Sequence, residues 1–176
     1  RSVADVILND HPNIKLTFVD EQAKQDESLW GFKVLKEIEL PLPDYFIAIG
    51  DNLARKSKTE SIHGGELIKV ISRRAYIGRG AFLAPGCFVA HGAHIGPMVR
   101  VGRGSIINTQ ASVDHEVIIG DFCHIGPNAT VSGRSELGNL VFLGVGSTVV
   151  DNVRICSNVT IGAGAVVVSN IDKPGI

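Results

Sequence analysis

The sequence predicts a mainly β chain: a β-solenoid of six-residue repeats, preceded by a small α/β domain. Three observations carry this. From Ile71 every sixth residue is aliphatic, through Ile77, Leu83, Val89, Ile95 and onward to Ile161 and Val167, with no insertion or deletion. The residue four places later is small or β-branched, from Ala75 and Ala81 to Ala165. A period this long and unbroken is the mark of a solenoid. Before about residue 68 the pattern changes to short apolar runs that alternate with helical stretches, as in a small α/β unit with a parallel sheet.

The expected elements follow in order. Ser2 to Asn9 reads as a helix with Val3, Val6 and Ile7 on one face. Ile14 to Val19 alternates like a strand and runs into Asp20 and Glu21. Residues 20–30 are polar and loop-like. Phe32 to Leu40 reads as a short strand and helix, closed by Pro41 and Pro43. Tyr45 to Ile49 suits a buried parallel strand, followed by the turn Gly50-Asp51-Asn52. A helix is expected from Asn52 to about Ile62, ended by Gly64 and Gly65. Ligands of parallel α/β sheets sit beyond the carboxyl ends of the strands. Asp20 and the Gly50-Asp51-Asn52 turn hold that kind of position, so they are candidate binding residues. The division is residues 1–68 and residues 69–176.

Bulk composition narrows the function. The formal net charge is -1 and 20% of the 176 residues are charged. That balance implies neither a nucleic-acid nor a membrane-surface partner. One Trp and two Tyr make a poor base-stacking surface. No apolar run approaches the roughly 20 residues that cross a bilayer, and no signal peptide is visible. Three cysteines make no disulfide framework. Cys87 and Cys123 fall on inward positions two coils apart, about 9–10 Å by ordinary strand spacing, too far to bond. They read as small core residues of a cytoplasmic protein.

The repeat also places side chains. Three hexads per coil make a triangular prism. First and fifth positions point inward, second and sixth outward, and the third and fourth form corners. Phe88, Ile106, His124 and Phe142 then share one outward column. Such a column is expected to be a subunit interface in a cyclic trimer; the other reading is a face covered by the chain's own small domain.

Few residues break the bland pattern. Asn108 and Asp114 occupy second positions that are usually small, and His115-Glu116 follows at a corner. Gly133 lies on the same edge, one coil on. Histidine suits proton transfer near neutral pH, a carboxylate can orient it, and a glycine amide can hold an oxyanion. Two solvated corner residues and a turn glycine would give the same spacing. His124 reads either as a structural interface histidine or as one facing a neighbour's His115 edge. His91 and His94 read as surface residues, and His63 has no evident role. Zinc ligands on one edge would be eighteen or thirty-six residues apart, and His91, His94, His115 and His124 are not, so no metal site is expected.

The stretch from Ile106 to Gly133, IINTQASVDHEVIIGDFCHIGPNATVSG, together with the hexads, resembles the left-handed β-helix acyltransferases. More closely it is similar to the sialic acid O-acetyltransferase-like family, which includes bacterial nucleotide-4-amino-sugar N-acetyltransferases. The resemblance covers nearly the whole chain. It implies a left-handed parallel β-helix after a Rossmann-like domain. It implies acetyl-CoA as co-substrate and no metal. The implied activity is N-acetylation of a UDP- or GDP-linked 4-amino-4,6-dideoxyhexose in cytoplasmic glycan biosynthesis. The alternatives are O-acetylation of sialic acid or another sugar, a non-catalytic solenoid scaffold, and a metal-dependent β-helix hydratase.

The resemblance also implies roles. His115 is the general base and Glu116 supports it. His124 helps to place the thioester, Gly133 holds its oxygen by the backbone amide, and Asn108 lines the same site. Acetyl-CoA is expected between two subunits of a homotrimer, near Gly144, Gly146, Gly162 and Ala163. The nucleotide maps onto Asp20, and also onto Gly50, Asp51 and Asn52. The family opens with a strand and a GxGGH-like turn, whereas this chain starts in what reads as the following helix and stops before the family's carboxyl-terminal segment. The expectation is a chain trimmed or disordered at both ends and lacking the phosphate-cradling turn.

Overall fold

The computed structural model describes residues 1–38 and 41–176. Helix α1 spans Ser2–Asp10. A three-stranded sheet follows, from β1 (Phe18–Val19), β2 (Ser28–Leu29) and β3 (Phe32–Leu35). Helix α2 spans Asn52–Ser61, and the side chain of Asp51 caps it by accepting from the Ala54 N–H at 2.8 Å. Seventeen two-residue strands then run from β4 (Val70–Ile71) to β20 (Val166–Val167).

These strands form three flat faces of six, six and five parallel strands. The first face stacks Val70, Phe88, Ile106, His124, Phe142 and Thr160. The second stacks Tyr76, His94, Ser112, Thr130, Thr148 and Val166. The third stacks Phe82, Arg100, Ile118, Glu136 and Arg154. Register is eighteen residues throughout, so a coil holds three hexads. First and fifth positions fill the core: Ile95, Ile107, Ile125, Leu143, Cys87, Ala111 and Cys123 have no exposed surface. This apolar axis is continuous from Leu83 to Val167. From Gly80 to Gly164 the fourth position of every hexad has positive φ, including Glu116 at 60° and Phe122 at 54°. Each prism corner thus turns through one left-handed residue.

The amino-terminal region departs from expectation. Its sheet is mixed, with β1–β3 parallel and β2–β3 antiparallel. Residues 28–35 form a hairpin across Trp30 and Gly31, both at positive φ, where a loop was expected through residue 30. The strand foreseen from Ile14 shrinks to Phe18–Val19. Residues 36–38 are not helical, and Glu39 and Leu40, the end of that expected helix, lie outside the described residues. Tyr45 to Ile49 joins no sheet: one isolated bridge ties Tyr45 to Leu67. Among the described residues no Rossmann-like parallel sheet precedes the solenoid.

The apolar first-face column also needs correcting. Its first half, Val70, Phe88 and Ile106, is covered by the chain itself. Val6 of α1 and Phe46 cluster with Val70, Phe88, Ala90 and Ile106, and the Phe46 and Phe88 rings meet edge to face at 6.3 Å. Phe88 keeps only 3% of its surface. Phe88 and Ile106 are therefore not free to meet another subunit, whereas His124 and Phe142 beyond them stay partly exposed. Large apolar residues remain exposed on the other two faces, among them Tyr76, Phe82, Met98 and Ile118.

Candidate functional site

His115 sits at a corner between the second and third faces. Asp114 accepts from its backbone N–H at 2.7 Å. Glu116 turns back at its left-handed φ, and its Oε2 lies 3.0 Å from His115 Nδ1. A carboxylate accepts, so Nδ1 carries the proton and Nε2 presents a lone pair. The Nε2–Cε1 edge of the ring lies over Gly133, one coil on. A Cβ on Gly133 would stand 2.7 Å from Nε2 and 2.8 Å from Cε1. A side chain on Gly133 would therefore push the His115 ring aside, and the glycine's φ is unexceptional. Asp151, two coils on, would lie 3.1 Å from the same point and is held by Arg134 at 2.8 and 3.0 Å.

The Gly133 amide is unpartnered among the described residues, although the residue is buried beneath His115. The N–H of the third hexad position stands outside the interstrand ladder. Along the corner between the third and first faces, side chains take these amides: Arg103 donates to Asp121 Oδ1 at 2.7 Å, Asp121 to Asn139 Oδ1 at 2.8 Å and Asn139 to Ser157 Oγ at 2.9 Å. No acceptor among the described residues takes the Gly133 N–H. A histidine and an unpartnered amide donor thus share one edge, the pair of groups that acyl transfer requires.

His124 lies elsewhere, on the first face. Its Nδ1 is 3.3 Å from the Gly50 carbonyl and its Nε2 is 3.0 Å from Asn108 Nδ2. A carbonyl only accepts, so the proton is on Nδ1. Asn108 Oδ1 accepts from the Thr109 N–H at 2.8 Å, which turns the amide NH₂ toward Nε2. His124 is thus held neutral, with both nitrogens engaged. Its pKa is lowered from the ordinary 6.5 by burial first and also by Arg55, while the Gly50 hydrogen bond opposes the shift. The Phe142 ring meets it edge-on at 5.1 Å.

The Gly50-Asp51-Asn52 turn packs against this histidine. Together with Phe142 and Thr160 they line a cleft of about 430 Å³. Asn52 Nδ2 also donates to the Val141 carbonyl at 3.3 Å. The sequence did not mark Arg55, yet its buried guanidinium touches both sides of this contact. Burial lowers its pKa to about 10. The available signal was the composition of α2, whose one large apolar residue, Leu53, is exposed, so the face it buries (Arg55 and Thr59) is polar.

The expected site residues therefore fall into two groups within one chain. His115, Glu116 and Gly133 meet at the corner between second and third faces. Asn108, Gly144, Gly146, Gly162 and Ala163 line the corner between first and second faces, with His124 beside Asn108. Gly50 packs on His124, and Asp51 and Asn52 lie on its other side, toward Leu140 and Asn158 at the corner between third and first faces. Gly144 packs tightly on the next coil, since a Cβ there would stand 2.5 Å from the Ala163 nitrogen, whereas Gly146 and Gly162 face open space. Asp20 does not join the cleft. Its carboxylate accepts from the Gln22 N–H at 2.9 Å, and neighbouring Glu21 pairs with Lys58 of α2 at 2.6 Å. No group of three or more potential metal ligands occurs among the described residues. No helix among them is long and apolar enough to cross a membrane.

No protein-family model matches the chain. Solved structures do. The acetyltransferase domain of PglB from Neisseria gonorrhoeae FA1090 is similar with a TM-score of 0.89 at 28% identity, over 98% of this chain and 87% of that one. The same domain in complex with acetyl coenzyme A matches at 29% identity and a TM-score of 0.89, over 97% and 86%. PerB from Caulobacter crescentus, in complex with CoA and GDP-perosamine, matches at 32% identity and a TM-score of 0.83, over 97% and 84%.

Proposed function

The chain belongs to the hexapeptide-repeat, left-handed β-helix acetyltransferases, and from that premise we propose that it transfers the acetyl group of acetyl-CoA to the amine of a nucleotide-linked 4-amino-sugar. Similarity to a perosamine N-acetyltransferase crystallised with CoA and GDP-perosamine supports this substrate class. A UDP- or GDP-linked 4-amino-4,6-dideoxyhexose of cytoplasmic glycan biosynthesis fits it. Residues 1–68 would hold the nucleotide sugar, through Gly50, Asp51 and Asn52 and the more distant Asp20. Residues 69–176 would carry the chemistry.

The observation that carries the mechanism is the His115–Glu116–Gly133 edge. Glu116 holds the Nδ1 proton, so Nε2 is free to act as base. The sugar amine attacks the thioester carbonyl carbon, and its proton passes to His115 Nε2. The Gly133 N–H stabilises the oxygen as negative charge develops there. The C–S bond breaks, and the proton returns to the leaving thiolate of coenzyme A. Direct transfer needs no cysteine nucleophile.

The two groups of site residues lie on different corners, so a complete site calls for a second copy. A homotrimer would bring the His115 edge of one subunit against the Asn108–His124 corner of the next, with acetyl-CoA between them near Gly146, Gly162 and Ala163. The exposed Phe82, Met98 and Ile118 flank the His115 corner and supply apolar surface for that contact. Replacing His115 with Ala and measuring kcat on the best substrate from a panel of UDP-, GDP- and dTDP-aminosugars tests the reading. A loss of about 10²–10⁴-fold is expected. A loss below about tenfold would remove His115 as base, and exclusive transfer to hydroxyl acceptors would replace the amino-sugar by an O-acetylated sugar.

A further inference from the structure

Arg55 projects from α2 into the join between the amino-terminal region and the solenoid, with 1% of its surface exposed. Its acceptors divide into two sets. On one side Nη1 donates to the carbonyls of Ile49, Gly50 and Asp51 at 3.0, 2.9 and 3.3 Å, and Nη2 to Asn52 Oδ1 at 2.7 Å. On the other side Nε donates to Gly104 O at 2.7 Å, and Nη2 to Phe122 O and Cys123 O at 3.1 and 3.2 Å. None of these acceptors is a carboxylate. A buried cation is costly, and apolar packing of similar size often serves stability better. This one joins the turn that carries Gly50 to the backbone immediately before His124.

We infer that Arg55 is a positioning residue for the acetyl-transfer site: it holds the Gly50 carbonyl against His124 and thereby keeps that ring in the neutral Nδ1–H tautomer, with Nε2 accepting from Asn108. The inference rests on the reading above, in which the Asn108–His124 corner forms one wall of the site. The network is all-or-none. If Gly50 withdraws, Nδ1 loses its acceptor. Moving the proton to Nε2 would then set two donors against each other, because Asn108 also presents N–H there. Asn108 cannot simply flip, since its Oδ1 accepts from the Thr109 N–H. Held as observed, Asn108 spends one N–H on His124 and keeps the second for an acyl oxygen. Lysine cannot substitute, since three protons on a point charge do not span seven acceptors spread over three chain segments.

The test is spectroscopic first. In protein carrying ¹⁵N-histidine, long-range ¹H–¹⁵N correlation distinguishes the two tautomers, and loss of a signal in His124→Gln assigns it. The expected wild-type result is the Nδ1–H form at neutral pH; an Nε2–H form or an imidazolium overturns the inference. Arg55→Lys, shown folded by its melting transition, is expected to give mixed tautomers and a kcat lower by about tenfold to a hundredfold. Wild-type tautomer and kcat in that variant overturn the role of Arg55. If Arg55→Lys does not fold, Asn52→Ala removes one acceptor and leaves the guanidinium in place. Mixed tautomers are expected there, and an unchanged spectrum overturns the inference. The spectrum requires no turnover, so it stands or falls separately from the acetyl-transfer reading.

Discussion

The imidazole of His115 lies over the Cα of Gly133, with Nε2 2.7 Å from where a Cβ would be. This contact sets the reach of the imidazole and disfavours any side chain beneath it. Gly133→Ala is expected to displace the ring and lower kcat by about a hundredfold, the usual cost of a misplacement near 1 Å. Gly133 is buried beneath that ring, but His115 is itself only half-buried and can swing outward, so the melting temperature should stay close to wild type. Steady-state kinetics and a thermal melt on the same preparation check both statements.

Glu116 acts on the other nitrogen. Glu116→Gln keeps the shape but can present an amide NH₂ to Nδ1, which permits the wrong tautomer. We expect kcat/KM to fall by about tenfold to a hundredfold, less than the 10²–10⁴-fold of the base itself. His115→Ala and the His115→Ala/Glu116→Gln pair should then be equally impaired, because the two residues act as a unit. Additive losses in the double variant would separate them.

His124 makes stability depend on pH. Burial lowers its folded pKa below the ordinary 6.5. The unfolded chain therefore binds the proton more readily than the folded one. This contribution to stability is whole above about pH 6.5 and is lost as the pH falls through the lowered value. Between pH 7 and pH 5 the wild-type melting temperature should drop further than that of His124→Gln. Parallel slopes in the two proteins would refute the assignment.

The cysteines differ in reactivity. Burial pushes the Cys87 thiol up to about 11 and the Cys123 thiol up to about 12, and neither has exposed surface. Cys156 is partly exposed. Under native conditions Cys156 alone should react with a thiol reagent, and all three should react after denaturation. Counting modified thiols by intact mass reads the result.

Much of the solenoid was legible in the sequence because its spacing is local. A residue such as Ile107 or Cys123 is buried by its place in the hexad, and one interstrand step of eighteen residues repeats that placement along the prism. The His115 and Gly133 edge followed from the same count. The amino-terminal region was less legible. Trp30 at positive φ begins the turn of the 28–35 hairpin, a position where side-chain propensity argues against a turn. Tyr45 to Ile49 has the composition of a buried strand, yet Phe46 spends its apolar surface on Phe88 and the segment joins no sheet.

The sequence by itself determined the period, the inward and outward positions and the edge that His115 shares with Gly133, because each depends on backbone geometry repeated at a constant interval. Tertiary structure decided what covers each face and which residues complete the cleft. Val6 reaches Phe88, His124 meets Gly50, and Arg55 grips Cys123 across long separations in the chain. A period states where a side chain points; whether that direction meets solvent, another copy or the chain's own helix depends on packing between distant segments, which no local pattern contains.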